Sequence, residues 1–523
     1  MKNGYFLCML ILLQLSVSAQ VPASSKPVNA RVVEQSRNID LPANDDHYLP
    51  VKTYVEQVPD PDYFHASEAA YEDFNDMKFG IRIHWGIYSM WQLNHESWAF
   101  LELSNEKKQE YQNLYKSFNP VGFDAEEWMA FFERSGIKCF AFTSKHHEGF
   151  SMFDTKARVK SRANYTAPGG PAIEDCDLAY SIMETPFKRD IVKELCDAAH
   201  KHKMRIDLYF SHPDWYDADC RPYNFAPLQT EDSKINPYTH YGDTTNYTAS
   251  FSKIIVAEPT DAEVKRMMAR HRQQLTELLT NYGKIDMICL DQYLGPRVWP
   301  EMKATIKALR KIQPDVMFRC RGIGNYGDYY TPENFVPGNK ENTKMPWMTI
   351  DQLASTFSYD SVAANYKGSK YIIHNLIDAV SKGGSYMIGT GPDGNGRFHP
   401  TAIKQFEETG AWLKINGEGI YGSRAAAAWK EGDHLRYTTT KDKKYLYAFA
   451  MAWPGATLQL KQVVPAKGKN IYLLGYPRPL TWTYKQGVLT IQLPTDLTAD
   501  SALRQQAAWG FRMEGTQKSA NEQ

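Results

Sequence analysis

The chain has no excess of either charge: Lys and Arg together number 60, as do Asp and Glu. That balance removes the gross electrostatic bias expected of nucleic-acid or anionic-membrane partners. Past the first residues, no apolar run is long enough to span a bilayer. Cysteine is scarce, at 7 in 523 residues, and no Cys-x-x-Cys or His-x-x-x-His pair occurs. A structural zinc site is therefore not expected. Apart from Cys8, three cysteines (Cys139, Cys289 and Cys320) lie in apolar runs, where a free thiol acts as a small buried hydrophobe. The stretch from Cys176 to Cys220 is the one place where a bridge is worth seeking. There is no internal repeat and no low-complexity tract. Length is plentiful, more than one ordinary core uses. So are aromatic rings, with 12 Trp and 32 Tyr. Such rings suit sugar faces, and they equally suit any large core.

The N-terminus reads as an export signal. Lys2 is basic, Phe6–Leu15 is an apolar stretch too short to cross a membrane, and Val17-Ser18-Ala19 is a small-residue cleavage site. Cys8 lies inside the apolar stretch rather than at the cleavage point, so no lipid anchor is expected. The mature chain is expected in a periplasmic or extracellular space. Residues 1–19 form the signal peptide in this reading and 20–65 an extended, polar, Pro-rich lead-in. A barrel domain is assigned to 66–417 and a second domain to 423–515.

From Ala66 onward, apolar runs alternate with helical patterns. Predicted strands are Lys78–Gly86, Ile137–Ser144, Met204–Ser211, Ile285–Leu290, Asp315–Gly322 and Ser381–Pro392. Predicted helices are Ala66–Met77, Asp124–Ser135, Asp190–His200, Val264–Tyr282, Trp299–Ile312, Asp351–Phe357, Tyr371–Ser381 and Pro400–Asn416. Strand followed by helix, repeated in this way, predicts an α/β fold of the (β/α)8-like TIM-barrel type. The segment 217–259 is too long for an ordinary connection and is expected to form a lid or subsite wall, or a solvated loop. After Ser423 the pattern changes to short β-rich runs: Leu435–Thr440, Lys444–Met451, Thr457–Leu460, Lys469–Leu474, Thr481–Lys485 and Val488–Leu493. These predict a small C-terminal antiparallel β-sandwich, with a polar tail fraying from Thr516.

Polar residues collect where the predicted strands end. Asp291 closes the run Met287–Leu290, and Gly295-Pro296 breaks the chain soon after. His84, His146, Tyr209 and Arg321 fall near the ends of other strands. In a β/α barrel the C-terminal ends of strands carry the active site. A single Asp there could also merely cap the next helix, but the shared placement of five polar residues favours one pocket. His146 and His147 are adjacent, so regular β geometry would point them to opposite faces. Only an irregular backbone would turn both toward that pocket.

Two stretches taken together resemble glycoside hydrolase family 29, the α-L-fucosidases: Lys-Phe-Gly-x-x-x-His-Trp-Gly-x-Tyr-Ser at 78–89 and Thr-Ser-Lys-His-His-Glu-Gly-Phe at 143–150. The resemblance continues through Tyr209-Phe210-Ser211, Asp214-Trp215, the strand ending at Asp291 and the loop Gly327-Asp328-Tyr329-Tyr330-Thr331-Pro332-Glu333, and runs from Tyr71 to Pro392. It implies a retaining exo-glycosidase releasing α-L-fucose from fucosylated oligosaccharides or polysaccharides, with no cofactor or metal and no nucleic-acid partner. Asp291 would be the nucleophile and Glu333 the acid/base, two carboxyls about 5 Å apart. The sugar would be bound by His84, Trp98, His146, His147, Tyr209 and Arg321, with Trp98 in the apolar wall that receives the C6 methyl group. Glu333 also fits ordinary capping, because it follows Thr-Pro at a predicted helix start.

The chain departs from the family pattern at three places. Cys289 stands where the family has Trp two residues before the nucleophile, and Gln292 where it has Gly directly after. Glu96 lies two residues before Trp98 rather than next to it. Glu96 and Glu301 remain alternatives to Glu333 as acid/base. Two other functions stay open at this point. One is a glycosidase for a similarly configured sugar such as α-L-galactose; the other is a catalytically silent carbohydrate-binding barrel.

Overall fold

The structure is a computed structural model that describes Tyr48 and residues 51–93, 95–223, 260–337, 345–497 and 501–518. The expected signal peptide, most of the lead-in and residues 224–259 of the long insertion lie outside the described residues.

The barrel strands in chain order are β1 (Phe79–Ile83), β2 (Cys139–Lys145), a hairpin of β3 (Val159–Asn164) and β4 (Ala172–Leu178), then β5 (Arg205–Ser211), β6 (Met287–Asp291), β7 (Met317–Phe318), β8 (Met348–Gln352) and β9 (Ser385–Thr390). Leaving out the hairpin, they make one parallel sheet in the order β7-β6-β5-β2-β1-β9-β8. Every residue of β1, β2, β6, β7 and β9 is buried. This two-sided burial is why these strands read as unbroken apolar runs rather than alternating ones.

The gap between β7 and β8 is closed by residues 328–333. Arg319 bridges Tyr329, Tyr330 bridges Trp347 and Glu333 bridges Ile350, all in parallel. Cys320 N donates to Tyr329 O at 2.9 Å, and Ile350 N donates to Pro332 O at 2.9 Å. The barrel thus has eight staves, the sixth of them irregular.

Helices α1 (Glu68–Met77), α2 (Asn105–Tyr111), α3 (Ala125–Arg134), α4 (Ile191–Lys201), α5 (Asp261–Thr280), α6 (Trp299–Ile312), α7 (Ser369–Ser381) and α8 (Pro400–Asn416) complete the domain. Their ends follow local chemistry. The Asp124 side chain accepts from Glu126 N and Glu127 N to start α3. Thr260 and Glu263 form a capping box at α5. Gly136, at φ +75°, takes the left-handed turn that ends α3.

Several expectations are corrected. Residues 351–357 do not form a helix: Asp351 lies on β8, held by the hydroxyls of Tyr371 and Tyr386 at 2.6 and 2.9 Å. The Glu96 carboxylate then takes the backbone N–H groups of Phe357 and Ser358, leaving them unavailable for helix formation. The strand expected over 315–322 is paired as a strand only at Met317–Phe318. There Asp328 folds back, accepting Phe318 N at 2.8 Å. The hairpin β3–β4, whose turn carries Gly169-Gly170, was not anticipated.

The end of the lead-in is packed rather than extended. Tyr63 donates to Tyr326 O at 2.5 Å, His65 Nδ1 lies 3.0 Å from Asp328 Oδ1, and Tyr48 OH accepts Thr331 N at 3.1 Å. These contacts all fall on or next to the irregular stave.

The second domain has β10 (Arg424–Glu431), β11 (Leu435–Thr439), β12 (Tyr445–Ala450), β13 (Thr457–Leu460), β14 (Val463–Pro465), β15 (Ile471–Leu473), β16 (Trp482–Lys485), β17 (Val488–Gln492) and β18 (Trp509–Gln517). One sheet runs β10-β11-β12-β18-β14, with β15 also on β18; the other runs β13-β17-β16. The unforeseen β18 pairs with three strands and includes Thr516 and Gln517, so the expected frayed tail begins inside a strand. The sandwich is joined to the barrel by Trp412 Nε1 donating to Ala508 O at 2.8 Å and by Arg424 Nη1 donating to Asp76 Oδ1 at 2.8 Å. Cys176 and Cys220 are free thiols, as are the other four described cysteines. Among the described residues no helix is long and apolar enough to cross a membrane.

Candidate active site

The site begins at the tip of β6. Asp291 is only 6% exposed, yet its carboxylate is heavily bonded. Tyr209 OH donates to Oδ2 at 2.6 Å, and His147 Nε2 lies 3.4 Å from the same oxygen. Arg321 Nη1 and Arg319 Nη1 donate to Oδ1 at 2.7 and 3.2 Å. Burial alone would raise the Asp291 carboxyl. The Arg321 charge, the His147 hydrogen bond and Arg319 overcome it and hold the group well below the usual carboxylate range. The next residue, Gln292, sits at φ +63°, a left-handed conformation that costs a residue bearing a Cβ and turns the chain sharply away from the strand.

Glu333 comes from the irregular stave. Its Oε2 accepts from Arg321 Nη2 and lies 3.8 Å from Arg319 Nη2. One guanidinium therefore serves both carboxylates, Nη1 on Asp291 and Nη2 on Glu333. Its planar fork fixes two acids close together, side by side.

Three histidines line the space beside them. His84 follows β1, and its ring is 5.3 Å from His146, 5.4 Å from Tyr209 and 5.2 Å from Phe357. The β2–β5 pairing slips register between Thr143 and Lys145, and the strand ends there. This irregularity lets the adjacent His146 and His147 both line the pocket, their rings 4.7 Å apart. His146 Nδ1 bonds to Ser97 Oγ. His147 packs 4.6 Å from Trp98 and 5.3 Å from Trp215. Burial lowers all three, His84 and His146 most strongly, so each imidazole is neutral and can both donate and accept. Burial also raises the Tyr209 hydroxyl well above its ordinary value, reinforced by the Asp291 charge, so it remains a donor.

The alternative acids are engaged in other contacts. Glu96 accepts from Thr356 Oγ1 and from two backbone N–H groups at 2.8 and 3.0 Å, and so pins the loop after β8. Glu301 pairs with Arg272 at 3.1 Å, joining helices α5 and α6.

Sequence reasoning missed Arg319, Ser97 and Phe357. Arg319 had a readable signal, because residues two apart on a strand share a face. It is fully buried, and its Nε also donates to Thr331 Oγ1 at 2.7 Å, tying Asp291 to the closing stave. A charged floor lies beneath. Cys289 Sγ is 3.3 Å from Arg319 Nη1 and 3.6 Å from Arg82 Nη1. Burial pushes the Asp207 carboxyl up to about 7, opposed by Arg82 and Arg319. Among the described residues no group of three or more His, Cys, Asp or Glu is arranged to hold a metal ion.

A family model described as alpha-L-fucosidase matches residues 59–418, and one described as the alpha-L-fucosidase C-terminal domain matches 431–514. The plasma alpha-L-fucosidase of Homo sapiens is 27% identical over 457 residues, covering 80% of this chain and 85% of that protein. The tissue alpha-L-fucosidase of Bos taurus is 25% identical over 468 residues, covering 84% and 88%. Among solved structures, alpha-L-fucosidase isoenzyme 1 from Paenibacillus thiaminolyticus superposes with a TM-score of 0.66 at 25% identity, covering 86% of this chain and 99% of that one. An alpha-L-fucosidase GH29 from Bacteroides thetaiotaomicron has the same fold, with a TM-score of 0.66 at 20% identity, covering 86% and 96%.

Proposed function

The chain belongs to the α-L-fucosidase family, and we propose that it is an exported enzyme releasing terminal α-L-fucose by double displacement, with Asp291 as nucleophile and Glu333 as acid/base. Glycoside hydrolase activity follows from the family. The residue roles rest on one observation above all: a single guanidinium, that of Arg321, holds both carboxylates at the open end of the barrel.

In this reading the ionised Asp291 attacks the anomeric carbon and forms a glycosyl-enzyme. Arg321, Arg319, Tyr209 and His147 keep its carboxylate charged and aimed. The first step needs a proton on Glu333, which protonates the leaving oxygen. Glu333 then takes a proton from the water that cleaves the intermediate. The neutral imidazoles of His84, His146 and His147 bond to sugar hydroxyls, and Trp98, backed by Trp215, forms the apolar wall for the C6 methyl group. Export is supported by the pattern of Met1–Ala19.

The test is turnover of 4-nitrophenyl α-L-fucoside by the wild type and by Asp291→Gly, with and without azide. The expected loss is on the order of 10³-fold or more, with recovery in azide as fucosyl azide forms. Unchanged turnover in Asp291→Gly would remove Asp291 from the mechanism. Preference for the matching α-L-galactoside would move the substrate to a sugar with a C6 hydroxyl.

A further inference from the structure

The segment carrying Glu333 is tied down on its far side by a buried lysine. Lys382 lies just past the end of α7, and its side chain is 3% exposed. Its Nζ donates to the backbone carbonyl of Pro337, four residues after Glu333. Its charge is matched by Asp378, with Nζ 2.5 Å from Oδ2. The other oxygen of Asp378 accepts from Arg436 Nε, also at 2.5 Å. Arg436 lies on β11 of the sandwich. The ring of Trp429, on β10, packs over both cations, 4.8 Å from Lys382 Nζ and 5.2 Å from Arg436 Cζ.

We propose that Arg436, Asp378 and Lys382 form a relay through which the C-terminal sandwich positions the Glu333 segment for proton transfer. The inference rests on the reading of Glu333 as acid/base. Upstream, Glu333 is fixed by its bridge to Ile350, and Asn334 N donates to Ile350 O at 2.8 Å. Asn334 then takes a left-handed φ of +62°, and the exposed Phe335 follows. Val336 then packs against the barrel core, and among the described residues the Pro337 carbonyl is the next backbone group after Asn334 held by a hydrogen bond. A methionine would fill the place of Lys382 without the strong cost of burying an ammonium group. What the lysine adds is a directed hydrogen bond to that carbonyl. Arg436 orients the carboxylate that makes the buried charge tolerable. In this arrangement the sandwich takes part in acid catalysis without touching the sugar.

Leaving-group dependence separates this role from simple buttressing. A 2,4-dinitrophenyl fucoside departs without protonation, whereas an unactivated fucosyl oligosaccharide needs the acid. Lys382→Met and Arg436→Gln are compared with wild type on both substrates, with melting temperature recorded. For Lys382→Met, kcat/KM on the oligosaccharide, which reports the glycosylation step, is expected to fall about 10-fold or more, as for a small misplacement of a catalytic group, with kcat/KM on the dinitrophenyl substrate nearly unchanged. Arg436→Gln shows the same split at smaller size, and it decides the matter if Lys382→Met does not fold. Equal losses on both substrates, or none on either, overturn the relay. Glu333→Gln is run alongside: if that variant lacks the split, the acid/base assignment itself has failed, and the relay falls with it. A split in Glu333→Gln that is missing from both relay variants refutes the relay alone.

Discussion

The two carboxylates of the site stand on very different supports. Asp291 ends a regular strand, paired along its length with β5, and its oxygens meet a tyrosine, a histidine and two arginines. Glu333 ends a stave that has only single-residue bridges to its neighbours, and its side chain is 26% exposed. The regular strand brings its own geometry. The irregular stave borrows its geometry from distant residues: Asp328 Oδ1 accepts from His65, Ala66 N and Tyr71, and Oδ2 accepts from Arg310 and Phe318 N. The contrast matches the proposed chemistry. A nucleophile attacks one atom from one direction, whereas an acid/base serves a leaving oxygen and then a water.

The sharpest way to break this contrast is to remove the hub of the borrowed support. Asp328→Asn leaves Arg310 buried without its counter-charge, which should cost about 3–5 kcal/mol in urea unfolding. The sign with pH follows from the native carboxyl. Burial would raise it, but Arg310 and the His65 hydrogen bond hold it well below the usual range. Its stabilisation is therefore present above the unfolded value of about 3.9 and is lost as pH falls through the native value. Wild type should lose stability below about pH 4 more steeply than Asp328→Asn, which urea titrations at stepped pH would reveal.

Arg319→Met tests the Asp291 side. It removes one of the two cations on Asp291 and the bond to Thr331, so kcat should fall by about 10²-fold. The Asp291 carboxyl should also rise, moving the acid limb of the kcat/KM profile to higher pH. An unmoved limb would show that Arg321 alone sets the charge. The smallest effect is expected from Tyr209→Phe. Loss of one hydrogen bond to a charged oxygen is worth about 1.5 kcal/mol, or roughly 10-fold in kcat, with thermal stability little changed.

The same contrast marks what could be read from the sequence. Helices 299–312 and 400–416 have in the structure the bounds expected from their pattern, because caps and apolar spacing are local signals. Asp291 announced itself as a charge at the end of a buried run. The closing stave offered no such pattern, since Tyr48 and His65 hold it from far away in the chain and Arg310 reaches it from α6. Residues 351–357 were misread for a related reason. Their conformation is set by Glu96, Tyr371 and Tyr386 rather than by their own periodicity. Strand β18 was missed, although Trp509-Gly510-Phe511-Arg512-Met513 carries apolar residues at alternate positions, with Trp509, Phe511 and Met513 all buried. The pairing of His146 with His147 in one pocket needed an irregular backbone, which the structure supplies as a register slip.

The clasp of Tyr63 on Tyr326 joins residues 263 positions apart in the chain. Closing so long a loop is entropically expensive and slow, and contacts of this kind form late in folding. The earliest part of the domain to be synthesised must therefore wait for its partner until most of the barrel exists. Until then the sixth stave lacks part of its support, and the Glu333 side of the site is the less firmly held. Asp291 and the three histidines sit at regular strands that do not use this contact. A chain cut before residue 66 would lose the contacts of Tyr48, Tyr63 and His65 on this stave and is expected to loosen the Glu333 side of the site before the Asp291 side.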